Sequence, residues 1–516
     1  MFTFSKSDYI NMKKNSNAFI IIKSLSMSEK RYFKIFSERH TIGEQNKYVI
    51  LFDELDKAEE ENDIILKKNL KKIGVNPDFI SADKNYLYQL ILRSLNVFHD
   101  SKTYNLEIKQ TLSSIEILFH KGLYHESLKL IAKAEELAKE CENFQLMIDV
   151  LIWKKKCSGY SLGLKKAAEV NQEIDKYVVL LNNFKRITDL YYESNLIQSN
   201  SEKQSKVEGI KKLKAILNQP ELKSEKNALS FSAKIFYYLI YSNYYYSIDD
   251  KQKEYDHLQK IVDIINLSKT YSIENPLDYV SIYNRLLSIK KFFPKSTFFN
   301  DIKVLREFPK KINIRKEVIT ERVFIHTNTH ELEYFLITND FQLALNKIKE
   351  IEKEITKLNM DIEPYHIIYF YYLHAITLIY VGQFHKALKF INKALNEFGF
   401  EERPQVYLRV EVLNVITHYE LKNYSLVSSL SKQVIKKNQS KNILTSFEVR
   451  ILQVFYKIAN AKHLTPKEET NLFQSLVNDL DNSKLNNQLS ANLLNENYEK
   501  WLNAKLKRKQ VFELYK

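Results

Sequence analysis

One helical pattern of apolar side chains recurs along most of this chain and limits the folds that it can adopt. After Phe384, small or apolar residues follow at spacings of three and four, at Ala387, Leu388, Ile391 and Ala394. This spacing places them on one face of an α-helix. Closer and looser copies of the pattern begin about 40 to 48 residues apart. The anchor positions are Tyr124, Leu164, Val207, Tyr255, Phe298, Phe341, Phe384 and Tyr424.

The prolines fall in phase with these anchors. Pro276, Pro364 and Pro404 precede their anchors by 22, 20 and 20 residues, where a proline can open a helix. Pro220 and Pro309 follow theirs by 13 and 11 residues, where a second helix should end. Each repeat is therefore predicted to be a helical hairpin with the anchor at its turn. Because one hairpin cannot bury its apolar face alone, stacked hairpins would share the core.

The composition favours an all-α fold. The 516 residues include only 8 glycines and 8 prolines, and 44% are hydrophobic. So few turn formers argue against sandwiches, barrels and propellers, whereas the apolar content supplies a core. Two cysteines and no signal-peptide pattern at the start predict a cytoplasmic protein. The uncharged stretch 364–385 is in phase with the repeat, so we interpret it as a buried helix and not a membrane span.

Two copies of the pattern share a longer signature, which is almost complete in one and partial in the other. The copies are Gly382, Phe384, Ala387, Ile391 and Ala394, and Gly122, Tyr124, Ser127, Ile131 and Ala134. They resemble the tetratricopeptide repeat (TPR) family, over about residues 105–440. The resemblance implies a right-handed α-solenoid of about eight hairpins. The period of about 43 residues departs from the 34 of the family, so longer helices are expected.

Four regions are predicted along the chain. Residues 1–22 form a flexible basic arm, 23–104 an N-terminal helical bundle, 105–480 the repeat array and 481–516 a C-terminal helix that caps the last repeat. In the bundle, one helix is expected to carry the apolar residues Ile64, Ile65, Leu66 and Leu70. This order of a small helical domain and long-helix repeats is similar to bacterial TPR regulators of the Rap and PlcR kind.

The last helix of the predicted bundle has a polar face with Lys84, Asn85, Gln89 and Arg93. Such a face after a helix and a turn could be a recognition helix in a DNA major groove. The alternative, which we favour, is a solvated face of a bundle that covers the first repeat.

The resemblance implies a concave groove lined by the first helix of each hairpin. Counted back from the anchors, the groove residues that would bind a partner are Tyr369, Tyr372, Ile376, Tyr380, Arg409 and Tyr419. Tyrosine suits such a surface because it offers a large area with few rotatable bonds and a polar tip. Packing between repeats is the alternative for each tyrosine.

Recognisable catalytic chemistry is missing from the sequence. It contains no nucleotide-binding glycine motif, zinc-protease motif or nucleophile elbow. His326 and His330 lie four residues apart, as in some zinc sites, but no third ligand follows at a typical spacing. We therefore expect neither an enzyme nor a cofactor or metal.

These observations favour a non-catalytic bacterial-type adaptor that binds a protein or peptide in the groove. One alternative is a TPR-type regulator whose N-terminal domain contacts DNA or a regulator under ligand control. Another is a basic solenoid that binds nucleic acid, because the net charge is +15. We favour the explanation that the basic residues are scattered charges that aid solubility, so nucleic acid is the less favoured partner.

Overall fold

The computed structural model describes residues 15–38, 46–99, 102–199, 206–293, 297–312, 316–358, 362–401, 403–441, 443–461, 463–485 and 493–515. Within these ranges the fold is all-α, without strands, and consecutive helices pack against each other. This confirms the predicted all-α class. The chain divides into two compact units, Met1–Leu181 and Asn182–Lys516. The boundary lies inside the predicted repeat array.

The first unit contains a helical bundle and three longer helices. Its helices are α1 Asn17–Ser24, α2 Met27–Glu38, α3 Lys47–Lys57, α4 Asp63–Lys72, α5 Ile80–Phe98, α6 Tyr104–His120, α7 Tyr124–Glu140, α8 Phe144–Ser161 and the first half of α9 Leu164–Ser199. Helices α1, α2 and α3 pack against α5. The stacked rings of Phe33 and Phe52, with centroids 4.6 Å apart, lie in the centre of the bundle. A separate core lies between α6, α7 and α8.

The second unit has one large core. Its helices after α9 are α10 Lys206–Leu217, α11 Phe231–Ser247, α12 Lys251–Leu267, α13 Tyr271–Glu274, α14 Pro276–Lys290, α15 Phe298–Glu307, α16 Lys316–Ile337, α17 Phe341–Leu358, α18 Pro364–Tyr380, α19 Phe384–Glu397, α20 Pro404–Glu420, α21 Tyr424–Lys441, α22 Ser446–Asn460, α23 Pro466–Leu485, α24 Leu493–Leu506 and α25 Val511–Leu514. Most neighbours in this order form helical hairpins.

The predicted turns are confirmed by the positions at which helices begin. Six anchors are the first residues of helices, namely Tyr124, Leu164, Phe298, Phe341, Phe384 and Tyr424. The helices near the other two anchors begin at Lys206 and Lys251. Pro276, Pro364 and Pro404 each open a helix, and Pro220 and Pro309 lie in 3-10 turns after helices, as expected.

A recurring turn joins many of these helices. In the turn before α19, Gly382 has a left-handed backbone with φ of +73°, and the N–H of Gln383 donates to the carbonyl of Leu378 at 2.8 Å. This arrangement is a Schellman motif, which satisfies the last carbonyls of a helix. The same left-handed position is occupied by Gly122, Glu142, Asp249, Asn339 and Lys422. Because residues other than glycine adopt the left-handed backbone in four of these turns, the array needs few glycines.

One predicted turn is absent. Helix α9 runs for 36 residues, where the repeat spacing predicted a second helix, a turn and another first helix. Residues 164–199 contain neither glycine nor proline, the two residues that interrupt helices most strongly, so a continuous helix is possible there. The regular succession of hairpins is therefore interrupted at α9.

The predicted arm and bundle share a helix. Residues 1–14 of the arm lie outside the described residues, but Asn17–Ser24 form α1. Ser16 caps this helix, since its hydroxyl accepts from the N–H of Phe19, and Ala18, Phe19 and Ile22 are buried in the bundle core. The arm boundary at residue 22 therefore falls inside a helix of the bundle.

Candidate functional site

The first helices of successive hairpins in the second unit form a continuous layer. Helix α14 contacts α16, α16 contacts α18, α18 contacts α20 and α20 contacts α22. We call these five helices the first-helix layer. All the predicted groove residues belong to it, because they lie on α18 and α20. The layer therefore brings together side chains that are far apart in sequence.

A buried polar network crosses one part of this layer. The carboxylate of Glu333 on α16 accepts from Lys291 Nζ at 2.6 Å and from the hydroxyl of Tyr369 at 2.6 Å. His330 Nδ1 lies 3.3 Å from the same carboxylate, and its Nε2 lies 2.8 Å from Asn284 Oδ1. Burial alone would raise the pKa of Glu333, but Lys291 and His330 outweigh it and lower this pKa. The carboxylate is thus a satisfied, charged centre of the layer.

A second polar cluster connects the layer to helix α24. Arg409 Nε on α20 donates to Glu448 Oε1 on α22 at 3.0 Å. The hydroxyl of Tyr498, on α24, donates to the same oxygen at 3.3 Å. Burial and the negative charge of Glu448 both raise the pKa of Tyr498, which therefore stays protonated.

Helix α24 inserts aromatic side chains among the helices of this region. Tyr498, Trp501 and Leu502 are buried. The indole of Trp501 contacts the rings of Phe455 and Phe473, with centroids 5.8 and 5.7 Å away. These contacts reach α22 and α23, so α24 belongs to the same core as the hairpins that precede it.

Polar contacts anchor α24 at two further places. Lys500 Nζ donates to the backbone carbonyls of Leu336 and Ile337, at 2.6 and 3.1 Å, where α16 ends. A cation is favourable at this negative end of a helix. At the end of α20, Glu420 accepts from Trp501 Nε1 at 2.8 Å and from Lys505 Nζ at 2.6 Å. Both carboxylate oxygens of Glu420 are therefore used by α24.

The predicted groove residues lie beneath this helix. Tyr372, Ile376 and Tyr380 are each 2% exposed. They line a cavity of about 20 Å³ together with Tyr498 and Trp501. A cavity of this size has room for little more than one water molecule. The structure thus brings the predicted residues together, but helix α24 of the same chain covers them.

The remaining predicted groove residues are also engaged within the chain. Tyr419 is buried and its hydroxyl donates to Glu469. Arg409 is paired with Glu448, and Tyr369 with Glu333, although both side chains keep partial exposure. The prediction of a capping helix missed these contacts, because α24 reaches back to α16 and α20 in addition to the last hairpin.

The proposed recognition face of α5 needs one correction. Lys84 is 7% exposed and forms ion pairs with Glu61 and Asp63, so it lies on the core side of the helix. It cannot contact DNA in this arrangement. Asn85, Gln89 and Arg93 are exposed, as a recognition face would require.

An exposed basic surface lies on the neighbouring helix α4. The side chains of Lys67, Lys68, Lys71 and Lys72 are exposed, and no ion pair involves them among the described residues. Ile64, predicted to be apolar core, is 81% exposed on the same helix. The buried residues of α4 are Leu66 and Leu70. The spacing of four residues between Leu66 and Leu70 is the sequence feature that could have identified the buried face of α4.

The histidines of the layer do not form a metal centre in the described part of the chain. No group of three or more potential metal ligands occurs there. The rings of His326 and His366 meet edge to face with centroids 6.3 Å apart. Burial lowers the pKa of His326 and of His366 to about 3, and neighbouring cationic groups contribute in the same direction. Both imidazoles are therefore neutral at physiological pH.

No protein-family model and no curated protein sequence matches this chain. Across the described residues, no helix combines the length and apolar character that crossing a membrane requires. The uncharged stretch 364–385 contains α18 and the first two residues of α19, and α18 packs against α16, α19 and α20.

Proposed function

We propose that this protein is a non-catalytic adaptor, similar to TPR proteins, that binds a segment of a protein partner on the first-helix layer. The observation that carries this proposal is the position of α24, because a helix already lies on the predicted binding residues. Helix α24 is held there by buried aromatic contacts and by hydrogen bonds to the carboxylates of Glu420 and Glu448.

The chemistry of the layer supports a helical partner. Helix-in-groove recognition uses apolar anchors one helical turn apart that enter a preformed apolar surface. Tyr372, Ile376 and Tyr380 provide such a surface, and tyrosines and tryptophans are common anchors at interfaces. The protonated hydroxyl groups and the carboxylates at the edge of this surface would fix the register of a bound helix.

The test is affinity purification of the tagged full-length chain, with and without nuclease. We expect to recover a protein partner, and nuclease treatment should not reduce its recovery. Tyr369→Ala should reduce recovery at least fivefold, because Tyr369 is a partly exposed ring of the layer. The matched control is Tyr246→Ala, on an exposed tyrosine of α11. Undiminished capture by the Tyr369 variant would contradict the assignment of this surface.

The basic surface of α4 favours a second candidate function, the regulator in which the N-terminal bundle contacts DNA. Four exposed lysines, which have no acidic partner within the described ranges, lie one helix before Asn85, Gln89 and Arg93. Lysine contacts to phosphates make binding salt-dependent, with a slope that falls by about one for each contact removed.

Binding of a DNA duplex at several salt concentrations tests this candidate. Lys68→Gln with Lys71→Gln should reduce the salt slope by about two. Lys432→Gln with Lys436→Gln, an exposed pair on α21, serves as the control. Binding of the DNA duplex that does not change with salt concentration would contradict the candidate function.

A further inference from the structure

We infer that α24 is a displaceable occupant of the first-helix layer, and that the partner presents a basic, aromatic helix of the same chemistry. This inference rests on the proposed function. The pattern given by Tyr498, Trp501 and Lys505 is an aromatic residue, a second aromatic residue three positions later and a lysine four positions further.

Helix α24 packs into the core of the second unit, and its contacts are spread over several hairpins. They extend from the end of α16 to α20, α22 and α23, which are parts of three different hairpins. The i, i+3, i+7 spacing of its three pattern residues places them along one face of the helix. A helix from another protein with the same face would meet the same acceptors.

Glu420 determines the charge of the partner. Its side chain is almost buried, and its two oxygens accept from an indole N–H and from an ammonium group. An acidic residue at the position of Lys505 would place two carboxylates together at low solvent exposure, which costs binding energy. The net charge of +15 favours acidic partners at long range, but this local site selects a basic helix.

Connection to the same chain makes α24 a strong competitor. A tethered segment binds with an effective concentration of about millimolar, so a free helix must overcome this occupancy. The apparent association constant of the partner is its intrinsic association constant multiplied by the fraction of molecules in which the layer is open. Weakening the contacts of α24 should therefore increase the affinity for a helix added in trans.

The experiment measures binding of a fluorescein-labelled synthetic peptide with the sequence of residues 493–515 to the full-length chain. The variant Trp501→Ala with Lys505→Ala loosens α24 and leaves Glu420 and Glu448 intact. It should bind the peptide at least tenfold more tightly than the unaltered chain, as measured by fluorescence anisotropy. The control, Lys507→Ala with Lys509→Ala, removes two exposed charges after α24 and should behave like the unaltered chain.

A peptide that carries glutamate at the position of Lys505 should bind the loosened variant at least tenfold more weakly than the original peptide. Equal binding of both peptides would overturn the charge selection. No increase in peptide binding by a loosened variant that keeps its circular dichroism spectrum would overturn the displaceable helix. If the recovery of a partner in the affinity purification still depends on Tyr369, the proposed function stands. If that recovery does not depend on Tyr369, only the proposed function is overturned.

If the double variant does not fold, hydrogen exchange on the unaltered chain decides the matter. Amides of residues 498–506 should exchange at least tenfold faster than those of 368–380, because α24 opens while α18 stays folded. Equal exchange rates in the two helices would overturn the inference.

Discussion

Replacement of His374 should change the acid stability of the second unit. His374 lies on α18 and is 1% exposed, and neither ring nitrogen has a hydrogen-bond partner among the described residues. Its ring contacts Phe390 edge to face, with centroids 5.0 Å apart. Burial, together with the positive charge of Lys393, lowers the pKa of His374 to about 3. The folded protein therefore holds this imidazole neutral in an apolar site.

The magnitude follows from the difference in pKa between the folded and unfolded states. An exposed histidine in the unfolded chain has a pKa of about 6.5. Because the folded pKa is lower, the unfolded state binds the proton first as the pH falls, and stability decreases from pH 6.5 toward pH 3. At about pH 5, which is roughly 1.5 units below the unfolded pKa, the loss due to His374 is ~2 kcal/mol at about 1.36 kcal/mol per unit. Above pH 6.5 the loss disappears.

Urea denaturation of His374→Leu near pH 7.5 and near pH 5 measures this effect. The chain has two tryptophans, so the background substitution Trp153→Phe leaves Trp501 as the only tryptophan that reports on unfolding, and it lies in the second unit. Between the two pH values the leucine variant should lose ~2 kcal/mol less of its free energy of unfolding than the unaltered protein. His385→Leu, at an exposed position of α19, is the control. The same pH dependence in all three proteins would refute the reasoning.

Three further predictions concern turns and buried charges. Gly382→Ala should lower the free energy of unfolding by ~1 kcal/mol, and Lys422→Gly should raise it by up to ~1 kcal/mol, because both positions have left-handed backbones. Urea denaturation measures both changes. Changes of the same sign in the two variants would contradict the turn assignment. Lys291→Met should cost about 3 to 5 kcal/mol in the same assay, since it leaves the buried Glu333 carboxylate without its ammonium partner. Lys84→Met should destabilise the first unit by ~3 kcal/mol in thermal unfolding followed by circular dichroism, whereas an exposed recognition residue would tolerate it.

The sequence predicted the helical hairpins well because their signals are local. A turn, a helix opened by proline and an apolar spacing of three and four all lie within about 40 residues of each other. Phe341, Phe384 and Tyr424 therefore mark helix starts correctly. The turn lost inside α9 shows the limit of this approach, because a spacing extended from stronger repeats does not by itself produce a chain reversal in a stretch without glycine or proline.

The covering of the groove could not be predicted in the same way. The contact between Lys500 and Leu336 joins residues 164 positions apart, and that between Trp501 and Glu420 joins residues 81 apart. No periodic pattern connects such positions. Lys84 was placed on the wrong side of its helix for a related reason, since only the tertiary fold shows the carboxylates that compensate its burial.

The position of α24 after the helices that it covers has a consequence for synthesis on the ribosome. Translation proceeds at about 5 to 20 residues per second. The 81 residues between Glu420 and Trp501 therefore take roughly 4 to 16 seconds to add. During this interval every newly made molecule contains the aromatic residues of α18 and α20 but lacks the helix that covers them. Nascent chains are thus open to a cotranslational partner or to a chaperone, whereas finished molecules already contain α24.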